Sequence, residues 1–118
     1  MADFYLTRRV FKQLIEIRDR SIQDFGSTRT KKYMADIYKG FQNAANNATR
    51  DHHRIDRSEP FFMQPVGDNH FALYHRFDNC IIIGAIFDQV MNVEEHIARL
   101  KRHLTTEILD MHKELKGR

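Results

Sequence analysis

The side chains that could do chemistry are seven histidines, a single cysteine and several clustered arginines. His52 and His53, together with His70 or His75, could suggest a metal site, but adjacent histidines in a polar loop point in different directions. No Cys or Glu completes a tetrahedral ligand set at a suitable spacing, so we expect no metal. The sequence also contains no glycine-rich phosphate loop, and we expect no cofactor. Cys80 begins an apolar run without an activating neighbour, which favours a core position over a nucleophile.

The predicted strand from His70 to Phe77 has one face that is more polar than the other. Alternation along a strand places His70, Ala72, Tyr74 and Arg76 on one face and Phe71, Leu73, His75 and Phe77 on the other. The polar face could line a concave sheet surface. The alternative is that Tyr74 and Arg76 pack beneath the C-terminal helix or pair with carboxylates. The basic segment Arg50–Arg57 is a further candidate binding surface, of mixed charge.

An α+β fold must position these residues, and its N-terminal part is a strand followed by two helices. Phe4–Leu6 is predicted as a short strand, with Thr7 as a helix N-cap. A helix over about residues 8–25 is indicated by apolar residues at helical spacing, namely Phe11, Leu14, Ile15, Ile22 and Phe25. Gly26 ends it and Ser27 can cap a second helix, whose apolar face is Tyr33, Ile37, Phe41, Ala44 and Ala48. So short a connection predicts an antiparallel helical hairpin.

A small antiparallel sheet is predicted after the helices. Phe61–Gln64 is its first strand, broken by Pro65 and followed by turn residues 67–69. His70–Phe77 and Cys80–Phe87 form a hairpin around the turn at residues 78–79. The last strand is apolar on both faces, which predicts a central strand between the helix layer and a second layer.

A long amphipathic helix is predicted at the C-terminus, over about residues 93–116. Its apolar residues recur with a mean spacing that matches an α-helix, and they are Val93, Ile97, Leu100, Leu104, Ile108, Met111 and Leu115. This apolar face either covers the exposed face of the sheet or binds a partner, which includes a second copy of the chain.

The bulk composition is that of one soluble globular domain over residues 1–118, with 42% hydrophobic and 30% charged residues, so disorder is not expected. No apolar run approaches the roughly 18 residues of a membrane span, and the N-terminus does not resemble a signal peptide. With its single cysteine, the sequence predicts a cytoplasmic protein. The net charge of +3 favours acidic partners, either nucleic acid or protein.

The order of these elements resembles the RelE/ParE toxin superfamily, and three motifs strengthen the resemblance. An aromatic–Gly pair with a Tyr seven residues on is present as Phe25-Gly26 and Tyr33. The segment from His70 to Asp78 is similar to the family's His or Arg, I-x-Y-R and acidic turn. The closing I-L-H-x-x-M-D and H-L motif is matched by residues 86–92 and 96–97, with Asp88 at the family's His and Asn92 at its acidic position. The resemblance spans about residues 4–100 and is closer to ParE than to RelE.

The resemblance implies the toxin of a type II toxin–antitoxin system. A cognate antitoxin would neutralise it by wrapping an extended, partly disordered segment around it. ParE-like members poison DNA gyrase, so this hypothesis has no catalytic centre and its activity is a binding event.

RelE-like members instead cleave mRNA on the ribosome, which requires cations on the phosphate and an acid or base near the 2′-hydroxyl. The candidates for these roles are Arg54, Arg57, His70, Tyr74 and Arg76. The end of the last strand adds no cation, so the sequence favours gyrase inhibition over an endoribonuclease. The third hypothesis is a non-catalytic interaction module that dimerises through its C-terminal helix.

Overall fold

The computed structural model describes residues 3–46, 61–88 and 92–117. The fold is α+β, as predicted, with a strand and a helical hairpin before the sheet and a long helix after it. The elements are β1 (Asp3–Leu6), α1 (Arg8–Phe25), α2 (Ser27–Asn46), β2 (Phe61–Val66), β3 (His70–Arg76), β4 (Cys80–Asp88) and α3 (Val93–Lys116). Ala48, predicted as the end of the apolar face of α2, lies outside the described residues.

The sheet has the strand order β1-β4-β3-β2. β2, β3 and β4 are antiparallel neighbours, whereas β1 pairs with β4 in parallel, so the four-stranded sheet is mixed. This parallel pairing is possible because the helical hairpin and the two other strands separate β1 from β4 along the chain. β4 lies between β1 and β3, which confirms the central position predicted from its apolar sequence.

The predicted end of β2 at Pro65 is wrong, because the strand continues through Pro65 to Val66. Pro65 pairs with Phe71 of β3, and β2 is the edge strand of the sheet. A proline has no N–H to donate to a neighbouring strand, and an edge strand has one side on which no partner strand requires that donor. The proline is therefore compatible with this strand.

The sheet separates two apolar cores, one on each face. The core beneath α1 and α2 includes Val10, Leu14, Ile37, Phe41, Ala72, Tyr74, Ile81 and Ile83. The core beneath α3 includes Phe61, Leu73, Ile82, Ala85, Phe87, Ile97, Leu104 and Ile108. The apolar face of α3 thus covers the sheet, which was one of the two predicted alternatives. Leu100, Met111 and Leu115 are partly buried at the edge of this contact, and the side chain of Val93 lies outside the described part.

The helical hairpin packs on the sheet through only part of its apolar surface. Ser21 and Thr30 lie on either side of the Gly26 turn, and their hydroxyls are hydrogen bonded at 2.9 Å. In α1, Val10 and Leu14 are buried, whereas Phe11 and Ile15 are about half exposed. The apolar residues predicted for α1 therefore do not form one core-facing surface.

Candidate functional site

An open groove of about 660 Å³ lies between α1, the start of α2 and the end of the sheet where β3 begins and β4 ends. The helical hairpin forms one wall, and the turn between β2 and β3 forms another. The lining residues include Gln13, Glu16, Ile17, Arg20, Asp24, Phe25, Arg29, Tyr33, Asp68, Asn69, His70, Ile86 and Asp88. His70 is therefore the one predicted site residue that lines this groove.

Tyr33 and His70 form a hydrogen-bonded pair in the groove, with 2.5 Å between the Tyr33 hydroxyl and His70 Nδ1. The backbone N–H of Asn69 donates to the same hydroxyl at 3.3 Å. The hydroxyl accepts from Asn69 and keeps its own proton, which it can donate to Nδ1 when the neutral imidazole carries its hydrogen on Nε2.

Gly67 allows the turn to approach Tyr33 this closely. Its φ is +62°, and a Cβ added there would lie 3.0 Å from the Tyr33 ring. A side chain at this position would be strained by the left-handed backbone and would also contact the ring. The glycine turn therefore helps to position Tyr33 beside His70.

Burial affects the protonation of both members of the pair. It lowers the pKa of His70, against the opposing effect of the neighbouring Asp88 carboxylate, which is the Cα partner of His70 across the sheet. Burial also raises the pKa of Tyr33. Both groups are therefore neutral near pH 7, and His70 contributes no positive charge to the groove.

The charge of the groove is negative among its described lining residues. Arg20 and Arg29 supply two positive charges. Four carboxylates oppose them, namely Glu16, Asp24, Asp68 and Asp88. With His70 neutral, the balance of two cations against four anions disfavours a phosphate group and favours a cationic one.

The lowered pKa of His70 predicts a loss of stability on acidification. An unfolded histidine takes up its proton near its ordinary pKa of about 6.5, whereas native His70 resists protonation until lower pH. The contribution of neutral His70 to stability is therefore fully present above the ordinary pKa of histidine. It is lost as the pH falls from there through the lower pKa of His70 in the folded protein. We expect the His70→Gln variant to lose less unfolding free energy than the unchanged protein between pH 7 and pH 5, as measured by urea denaturation.

His75 provides the comparison for this experiment, since burial lowers its pKa as well. A His75→Gln variant should remove only its own share of the acid sensitivity. Equal loss of stability in the His70→Gln variant and the unchanged protein would contradict the buried, neutral state of His70.

Tyr74 and Arg76 lie on the same face of β3 as His70 but do not join it in the groove. Tyr74 is fully buried beneath the helical hairpin and stacks on Phe62, with ring centroids 5.7 Å apart. The guanidinium carbon of Arg76 lies 4.2 Å from the centroid of the same Phe62 ring. The alternative in which Tyr74 and Arg76 pack beneath the C-terminal helix is wrong, because Tyr74 and the Phe62 ring under Arg76 belong to the core on the other face of the sheet from α3.

The predicted catalytic candidates are thus distributed along the strand. His70 and Arg76 stand at opposite ends of β3, roughly 20 Å apart at strand spacing. Arg54 and Arg57, and the basic segment around them, lie outside the described residues. The described candidates therefore do not converge on a single reacting centre.

Burial of the Tyr74 hydroxyl predicts that its removal stabilises the protein. The oxygen has no hydrogen-bond partner among the described residues, and burial raises the pKa of Tyr74 to about 12. We expect Tyr74→Phe to raise the free energy of unfolding by about 1 kcal/mol near pH 7, because a buried hydroxyl without a partner is costly. Chemical denaturation measures this difference.

The same substitution should change the alkaline stability. An unfolded tyrosine ionises near pH 10 and native Tyr74 near 12, so the contribution of Tyr74 is lost as the pH rises between these values. The Tyr74→Phe variant should lack this loss. A decrease in stability at neutral pH would instead indicate that the hydroxyl has a favourable partner.

No protein-family model matches the sequence, and no curated protein matches it. Among solved structures, a chain described as "Chromosomal ParDE TA system from P. aeruginosa" superimposes with a TM-score of 0.67 at 18% sequence identity. The alignment covers 75% of this chain and 96% of that chain. The protein has a ParDE-like fold. This likeness is one of fold, and it agrees with the α+β architecture predicted from the motifs.

Within the ParDE-like fold, the two residues that depart from the family motif have defined positions. Asp88 ends β4 and lines the groove opposite His70. Asn92 is the N-cap of α3, and its side chain accepts a hydrogen bond from the backbone N–H of Glu95 at 3.3 Å. The capping function accounts for asparagine at this position.

The partnership of Tyr33 with His70 was missed by sequence reasoning, which identified Tyr33 as part of a motif and of the apolar face of α2. The two residues are 37 positions apart and belong to different elements, so no local periodicity relates them. The signal that could have found the pair is the glycine turn before His70, which brings the start of β3 against α2.

None of the helices in the described ranges is long and apolar enough to cross a membrane.

Proposed function

We propose that this protein is the toxin of a type II toxin–antitoxin pair, that it inhibits DNA gyrase by binding, and that a cognate antitoxin neutralises it in the cytoplasm. The observation that carries the proposal is the fold shared with a chain of a ParDE system, which extends over 96% of that chain. The motifs quoted above support the ParE-like side of the superfamily. The gyrase target and the antitoxin follow from this resemblance.

The electrostatics of the groove support binding over RNA cleavage. An endoribonuclease needs cations to stabilise the charge that develops on the phosphate. The groove that contains His70 has more carboxylates than cations among its described lining residues, and its histidine has a lowered pKa. This arrangement disfavours the approach of an RNA backbone.

The packing on both faces of the sheet supports the same conclusion. Tyr74 is buried beneath the helical hairpin, where it cannot reach a 2′-hydroxyl. The opposite face is apolar and covered by α3. Burial on both faces thus removes Tyr74 from the described candidate acid–base groups and leaves His70, beside Tyr33 in the groove.

A gyrase assay tests the proposal directly. The purified protein should inhibit DNA supercoiling or stabilise cleaved DNA when it is added to gyrase in micromolar amounts. Expression in bacteria should arrest growth, and co-expression of the cognate antitoxin should restore it. Unimpaired supercoiling in the presence of a micromolar excess of the protein over gyrase would contradict the gyrase hypothesis.

Two substitutions separate the binding toxin from the endoribonuclease. His70→Gln and Tyr74→Phe remove the two candidate acid–base groups while preserving side-chain size. Both variants should still arrest growth if the toxin acts by binding. Transcript cuts at the ribosomal A-site that disappear in either variant would instead establish the RelE-like activity, and harmless expression without an antitoxin would contradict both toxin hypotheses.

A further inference from the structure

The outer face of α1 carries a row of four large apolar side chains, which we call the α1 stripe. Its residues are Phe11, Ile15, Ile22 and Phe25, and they are 53%, 49%, 43% and 57% exposed. At 3.6 residues per turn they fall within an arc of about 80°. This arc is distinct from the face that buries Val10 and Leu14, so α1 has two apolar faces and only one of them belongs to the core.

The α1 stripe is comparable in size to the largest apolar patch that a typical monomer exposes. The four side chains expose roughly 300–400 Å² of apolar area together, since a buried aromatic side chain accounts for about 150–250 Å². Single exposed apolar residues are common, whereas a contiguous row of this size is a candidate interaction surface.

The order of residues along the α1 stripe is nearly the same in both directions. It runs Phe11, Ile15, the pair Arg18-Asp19, Ile22 and Phe25. An antiparallel copy of α1 with a two-fold axis near Arg18 would therefore place Phe11 against the second copy's position 25 and Ile15 against its position 22. A two-fold contact requires such self-complementarity, because each residue meets its counterpart twice.

The charges at the centre also fit a second copy. Arg18 and Asp19 form an exposed ion pair at 3.3 Å. By helix geometry Arg18 lies within the α1 stripe, halfway along it, and Asp19 lies beside it. Two such pairs related by a two-fold axis would alternate in sign, so each arginine could contact a carboxylate of either chain. A wholly apolar or wholly basic partner would not match this central pair.

We infer that α1 is a homodimerisation surface, on which α1 of a second copy packs antiparallel through the α1 stripe. The inference does not depend on the proposed function. It also differs from dimerisation through α3, since Ile97, Leu104 and Ile108 are buried against the sheet of their own chain. The two stripes together supply roughly 700 Å² of apolar area, so with their polar flanks they reach the low end of specific interfaces, and we expect a dimer of micromolar affinity.

Analytical ultracentrifugation of the full chain across the micromolar to high-micromolar range tests the dimer. The protein should shift from monomer to dimer as its concentration rises. The double variant Ile15→Glu/Ile22→Glu should remain monomeric, with an unchanged circular dichroism spectrum. Leu109→Glu is the matched control, because Leu109 is 47% exposed on α3 and should leave the dimer intact.

The central pair offers a second test that leaves the apolar residues in place. Arg18→Asp and Asp19→Arg should each weaken the dimer several-fold, because they place like charges around the two-fold axis. The double variant Arg18→Asp/Asp19→Arg should restore dimerisation by exchanging the two signs. A double variant as weak as the singles would contradict the proposed pairing.

The two-fold axis itself can be located by oxidation. In a Cys80→Ala background, Arg18→Cys should form a disulfide between two chains, since only a two-fold contact brings the same central residue together. Leu109→Cys should not. A chain that stays monomeric at every concentration would overturn the inference, as would a monomer whose α1 stripe variants lose only antitoxin binding, because the stripe would then belong to that partner.

Discussion

Replacing Leu104 with alanine is expected to lower the free energy of unfolding by about 2–5 kcal/mol. Leu104 is fully buried in the core between α3 and the sheet, together with Ile97 and Ile108. Truncation removes apolar contacts and leaves a cavity that the neighbouring side chains fill only in part. Urea denaturation followed by circular dichroism measures the loss.

Leu109 provides the control on the same helix. It is 47% exposed, so Leu109→Ala should change the free energy of unfolding by less than about 0.5 kcal/mol. The pair of substitutions thus compares the same chemical change on the two sides of α3.

The comparison also decides what the apolar face of α3 does. If this face served a partner and left the sheet in solution, Leu104→Ala would barely change the stability of the monomer and would weaken association instead. A large loss of stability at protein concentrations where the chain is monomeric indicates an intramolecular role. For Leu104 to bind a partner, α3 would then have to leave the sheet at a comparable cost in free energy.

The helical spacing of α3 was sufficient to predict its length and the face that contains its buried residues Ile97, Leu104 and Ile108, but not the surface that buries them. A periodic pattern reports which side chains share a face of a helix. The covering surface is a property of the sheet, whose strands come from distant parts of the chain. For α3 the deciding fact is that Leu73, Ile82 and Phe87 form an apolar face of their own.

The site shows the same division between local and long-range information. Strand alternation correctly placed His70, Tyr74 and Arg76 on one face of β3. Which helix layer covers that face depends on the handedness of the whole fold, so the alternative that placed Tyr74 beneath the C-terminal helix named the wrong helix. The Tyr33–His70 pair depends on a turn that brings α2 and β3 together, and the periodicity of apolar residues within one element does not predict such a contact.

A few local patterns were misleading because their context was missing. A proline would end a central strand, but Pro65 lies within β2, which is at the edge of the sheet. Five apolar residues of α1 were predicted to form the apolar face of one amphipathic helix, although four of them belong to the exposed α1 stripe. In each case the residue type is consistent with the structure once the neighbouring element is known.

The contact between α2 and β2 leads to the other large prediction, which concerns Gly40. A Cβ added to Gly40 would lie 2.6 Å from Cγ1 of Val66, 2.9 Å from its Cβ and 3.0 Å from its Cα. Alanine normally stabilises a helix by about 1 kcal/mol relative to glycine. Here we expect Gly40→Ala to destabilise the protein by about 1–3 kcal/mol, because a backbone atom of β2 cannot rotate away as the end of a side chain can.

A double-mutant cycle with Val66 attributes this loss to the helix–strand contact. Val66→Ala removes the nearest atom, Cγ1, and the cost of Gly40→Ala should then fall by about 0.5–1 kcal/mol. Gly117→Ala is the control, since a Cβ there meets nothing closer than 3.6 Å. If Gly40→Ala instead stabilised the chain, α2 would not be held this close to β2, and the position of Tyr33 beside the turn after β2 would lose the support of that contact.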